Sequence, residues 1–83
     1  MIKKEIMVRR SSGDDVESVA LLVQLAGKFS STVYFEKEGK RVNGKSIMGM
    51  MSIYLNEGSP VTLTVEGEDE IRAAGEIEDF LTK

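Results

Sequence analysis

The chain contains no histidine. That one absence removes three chemistries together: phosphohistidine formation, imidazole acid–base catalysis and histidine ligation of a metal. Cysteine is absent too. Disulfides, thiol nucleophiles and thiolate metal sites are therefore excluded, which fits a reducing cytoplasm. No apolar run approaches the ~20 residues that cross a bilayer as a helix. The opening residues, Met1-Ile2-Lys3-Lys4-Glu5, lack the apolar stretch of a signal peptide. Excess positive charge is missing as well: the net charge is −3, which leaves no basic footprint for nucleic acid. These absences lead us to expect a cytoplasmic protein with no membrane contact and no direct nucleic-acid contact.

What is present suggests one small α+β domain spanning residues 1–83. A chain of 83 residues buries only about 60–65% of its unfolded surface, enough for one modest core. Ile2 to Val8 alternates loosely and predicts a half-buried strand. Asp14 or Asp15 predicts a helix start, because Asp14 and Glu17 stand at capping-box spacing. Val16, Val19, Ala20, Val23 and Ala26 then recur at helical spacing, with Leu21, Leu22 and Leu25 widening the apolar face. Thr32 to Glu36 predicts a second strand, Lys37-Glu38-Gly39-Lys40 a hairpin turn and Arg41 to Asn43 a short returning strand. A short helix is expected over 47–53. Val61, Leu63 and Val65 alternate with Thr62, Thr64 and Glu66 as a fourth strand. Asp69 is expected to cap a last helix with Ile71, Ala74, Ile77, Phe80 and Leu81 as its core stripe. The order is β-α-β-β-α-β-α.

The most informative stretch is Val42 to Ile53, V-N-G-K-S-I-M-G-M-M-S-I. Asn43-Gly44 is a turn dipeptide. Ser46 stands where a helix N-cap should stand, since its hydroxyl can accept from an orphan backbone N–H. Ile47, Met48 and Met51 group on one helical face, with Met50 and Ile53 on another. Exposed methionines suit an adaptable partner surface.

This stretch closely resembles the regulatory-serine segment of HPr, the small phosphocarrier family of the bacterial sugar phosphotransferase system. Leu25-Ala26-Gly27-Lys28-Phe29, Glu36-Lys37-Glu38-Gly39-Lys40 and Glu66-Gly67-Glu68-Asp69-Glu70 resemble HPr segments in the same order. The resemblance implies an open-faced β-sandwich, four antiparallel strands covered on one face by three helices. It implies phosphorylation of Ser46 by HPr kinase/phosphorylase. It also implies a docking patch of Ile47, Met48 and Met51 with Ala20 and Gln24, on a monomer or weak dimer that needs no cofactor.

The resemblance breaks where HPr carries Gly-Leu-His-Ala-Arg-Pro-Ala. Here Gly13-Asp14-Asp15-Val16-Glu17-Ser18-Val19 stands instead. Only the glycine is kept. Asp15 takes the phosphoacceptor position and Glu17 the arginine position. A helix start attracts anions through its free N–H groups and its dipole. Three carboxylates satisfy that start and repel a second anion. An aspartyl phosphate on Asp15 would need a divalent cation and more basic partners than Arg9 and Arg10. Asp14, Asp15 and Glu17 cannot all converge on one cation, so no metal site is expected. The resemblance therefore implies a regulatory binding protein without the phosphocarrier role, similar to HPr-like catabolite-repression proteins that also lack the histidine. The alternative is an HPr-fold interaction domain unrelated to sugar transport, whose acidic helix end meets a basic partner. No nucleophile–base pair suggests an enzyme.

If local charge is what disables the loop, Asp15→His alone should accept phosphate from enzyme I slowly or not at all. Its neighbour Glu17 adds a like charge worth about 1 kcal/mol in water, and the missing guanidinium bond about 1.5–3 kcal/mol more. Adding Glu17→Arg should speed labelling at least about tenfold, the equivalent of about 1.4 kcal/mol. Equal initial rates for the single and double variants would contradict this account of the loop.

Overall fold

The computed structural model describes residues 1–9, 16–55 and 57–82. Four strands and three helices follow the expected order: β1 Ile2–Met7, α1 Val16–Gly27, β2 Thr32–Lys37, β3 Lys40–Asn43, α2 Ile47–Met51, β4 Pro60–Glu66 and α3 Glu70–Thr82. The strands form one antiparallel sheet in the order β1-β4-β2-β3. This is the α+β, open-faced arrangement expected from the sequence.

Period-2 patterning fixes the register. Ile6 lies opposite Val61, and Phe35 lies between Leu63 on one side and Val42 on the other. All five are buried. A one-residue slip would turn every one of them to the solvent face. Pro60 opens β4, the position in a strand that tolerates a missing N–H. The β2–β3 hairpin closes through two residues, Glu38 and Gly39, with φ of 53° and 81°. Positive φ at both central positions is the turn whose twist matches paired strands.

Helix α1 buries Val19, Leu22 and Ala26, and α3 buries Ala73, Ala74, Ile77 and Leu81. Three expectations need correction. Val16, Leu21 and Ile71 are exposed. Val16 and Ile71 sit in the first turns of their helices, and Leu21 lies off the 19-22-26 stripe. Phe29, just past α1, is buried instead. The helix start expected at Asp14 or Asp15 and the Asp14 half of its capping box lie outside the described residues.

Asp69 also differs from expectation. Its carbonyl accepts from Ala73 N, as an N-cap carbonyl does. Its carboxylate turns away and accepts from Ser30 N at 2.9 Å, Ser31 N at 3.0 Å and the Ser31 hydroxyl. Ser31 is the one buried polar side chain among the described residues, and this carboxylate satisfies it. Gly67 makes the approach possible: a Cβ there would come within 2.5 Å of Ser31 Oγ and 2.6 Å of Ser31 Cα. Its φ of 153° also disfavours other residues.

The Ser31 hydroxyl first, and the Ser30 N–H next, hold the Asp69 carboxyl at about 2, below its usual 3.8. The folded state therefore binds this proton more weakly than the unfolded state. The resulting stability is complete above pH 3.8 and is lost as pH falls through about 2. Denaturant unfolding should show the native chain losing stability across that window. Asp69→Asn should be less stable at neutral pH and should lose less on acidification. Parallel curves for the two chains would show that the clasp contributes nothing.

Candidate functional site

The site is built where β3 runs into α2. Asn43 Oδ1 accepts from Lys45 N at 2.8 Å, an Asx-turn that bends the chain out of the sheet. Gly44 N donates to Val33 O at 2.7 Å. A Cβ on Gly44 would fall 2.6 Å from Val33 Cγ1 and 2.9 Å from Phe35 Cε2. The glycine is needed for this close approach rather than for a special backbone angle.

Ser46 has extended backbone angles, φ −111° and ψ 116°, and its Oγ accepts from Gly49 N at 3.2 Å. Its carbonyl accepts from Met50 N at 2.9 Å. Ser46 is therefore the N-cap that the sequence predicts. Ser46 as a whole is only half-buried. At the other end, Ser52 donates from its backbone N at 3.1 Å and from its hydroxyl at 2.6 Å to Gly49 O.

A helix of five residues, Ile47–Met51, gains little from its own hydrogen bonds and must be held by packing. Met50 and Ile53 supply that packing at 1% and 5% exposure. Burying one side leaves the other in solvent: Ile47 is 42% exposed, Met48 84% and Met51 39%. The two-faced division expected from the sequence is present. Lys45 adds an anchor, donating from Nζ to Phe29 O at 2.8 Å. No sequence signal marks that contact, which joins the start of α2 to the end of α1.

Helix α1 packs against α2. Ala20 is half-buried on α1, and Gln24 is exposed one turn later. Glu17 is exposed in the first turn of α1. Leu21 and Val16, which sequence reasoning placed in the core, add exposed apolar surface beside Gln24 and Ala20 at helical spacing. Gly13, Asp14 and Asp15 lie outside the described residues. The described residues thus bring the serine and the exposed methionines onto α2, beside a helix that carries a carboxylate in its first turn.

Four antiparallel strands, three helices and a serine-capped methionine helix define an HPr-type domain. Residues 2–83 match the PTS-HPr family, described as the PTS HPr component phosphorylation site. The chain belongs to the HPr family. It is 42% identical over 83 residues to the HPr-like protein Crh of Halalkalibacterium halodurans, covering 100% of this chain and 99% of that protein. Among solved structures, the phosphocarrier protein HPr of Bacillus anthracis superposes with a TM-score of 0.91 at 38% identity, covering 96% and 95% of the two chains. The crystal structure of the Bacillus subtilis catabolite-repression protein Crh, a domain-swapped dimer, superposes with a TM-score of 0.77 at 42% identity, covering 98% and 93%.

Proposed function

We propose that this chain is a regulatory binding protein of carbon catabolite control and that it does not relay phosphoryl groups. The observation that carries the reading is a pairing: a serine-capped helix with an exposed apolar face in a chain without histidine. The two likenesses to Crh proteins support it. In this reading HPr kinase/phosphorylase docks on Ile47, Met48 and Met51, flanked by Ala20 and Gln24, and phosphorylates Ser46. The hydroxyl caps α2 until it is modified. A phosphate there keeps acceptor oxygens beside the N–H groups of the first turn and adds charge to an apolar face, which changes what that face can bind. The protein works in the cytoplasm as a monomer or weak dimer and carries out no catalysis of its own.

The exposed carboxylate of Glu17, with Asp14 and Asp15 preceding it in sequence, favours a second reading. An acidic helix end suits a basic partner outside sugar transport.

Incubation with HPr kinase and ATP should add one phosphate by intact mass, and Ser46→Ala should abolish it. If the native chain stays unlabelled in a reaction that labels an ordinary HPr, the basic-partner reading replaces the first.

A further inference from the structure

With no cysteine, the chain holds all its sulfur in five methionines. The structure separates them by access to solvent. Within α2 alone, Met48 is 84% exposed, Met51 39% and Met50 1%. Exposed Met1 and Met7 lie at the β1 end of the sheet, whereas α2 packs beside β3 at the opposite edge. A thioether is oxidised when solvent carries an oxidant to its sulfur, and the product is polar. Met48 is therefore both the most exposed methionine of the chain and the most exposed apolar residue of the serine helix.

We infer that Met48 is a site of reversible oxidation by peroxide and that its oxidation turns off the apolar α2 surface. The inference rests on the docking role given to that surface above. The sulfur lone pair of Met48 attacks one oxygen of hydrogen peroxide. The O–O bond breaks, an S–O bond forms and water leaves with the protons. The thioether gives up two electrons and the peroxide is reduced. The new oxygen is a strong acceptor in the middle of a face otherwise made of Ile47 and Met51. A partner that covers it must leave it without a donor or stay away. The Ser46 cap and the Met50 anchor are untouched, so the fold survives the change. Methionine sulfoxide reductases reverse the reaction. A chain without thiols would in this way carry a redox input two residues from its serine.

The test treats the full chain with graded hydrogen peroxide and locates each added oxygen by fragment-ion mass spectrometry. Met48 should oxidise roughly tenfold or more faster than Met50, following exposure. Circular dichroism of the singly oxidised chain should be unchanged, and the reductases should remove the oxygen. Labelling by HPr kinase and ATP is then compared before and after treatment. Oxidation should slow it roughly tenfold, the scale on which one unpartnered polar oxygen weakens an interface. Met48→Leu, whatever its own starting rate, should lose most of that sensitivity to peroxide. Equal oxidation of Met48 and Met50, unchanged labelling after oxidation, or the same sensitivity in Met48→Leu would each overturn the inference. If the untreated chain is not labelled at all, the docking reading fails and the switch falls with it. The order of oxidation is read by mass in either case, so the two failures are distinguishable.

Discussion

The Asp69 carboxylate gathers three hydrogen bonds from Ser30 and Ser31, across 38 and 39 residues of sequence. Five elements meet at the loop it holds. Helix α1 ends there and β2 begins there. The β4–α3 turn closes on it through Gly67, whose missing side chain leaves room for Ser31. Helix α2 is tied to it by Lys45, which donates to Phe29 O. Arg72 of α3 places its guanidinium 5.7 Å from the Phe29 ring centre, adding a cation–π contact on the same loop. A short helix cannot orient itself, so the direction in which Ser46 and the methionines face is set largely by this junction and by the burial of Met50.

That dependence separates the two inherited features of an HPr domain. The serine helix stands on three sets of contacts: Gly44 against Val33 and Phe35, Lys45 on Phe29 O, and Met50 in the core. Phosphoryl relay stands on a nucleophile and a cation at the start of α1. This chain has no histidine, and the sequence resemblance sets Asp15 and Glu17 against the relay positions. Glu17 is exposed and lies outside the buried core, so the change at that position leaves the sheet, the junction and α2 intact. A domain of this family can therefore lack the histidine and still keep the exposed apolar face of α2.

Local rules made much of this legible in advance. The β4 alternation of Val61, Leu63 and Val65 shows which side of the sheet is covered, because side chains on a strand have no third direction. Ser46 was readable as a cap because capping is decided within four residues. The fates of Met48 and Met50 follow from helical spacing once one face must pack. The failures are the non-local ones. Asp69 reads as a cap by its neighbours, yet two serines 38 and 39 residues earlier take its carboxylate. Gly44 does lie in the turn its sequence predicts, but what requires the glycine is non-local: two side chains from β2 exclude a Cβ there. Leu21 and Ile71 are apolar and helical, so periodicity alone drew them inward. The acidic reversal at residues 14, 15 and 17 was visible as chemistry, but nothing in sequence gives its geometry.

The central claim is that this chain is read by a partner through the serine helix. Amide chemical-shift mapping of the isotope-labelled chain, titrated with HPr kinase/phosphorylase in the absence of ATP, tests it most directly. The account predicts saturable shifts over Ser46 to Met51 and at Ala20 and Gln24, with the open sheet face around Lys3, Tyr34 and Thr64 unmoved. Shifts centred on that open face, or none at kinase concentrations that bind an ordinary HPr, would contradict it.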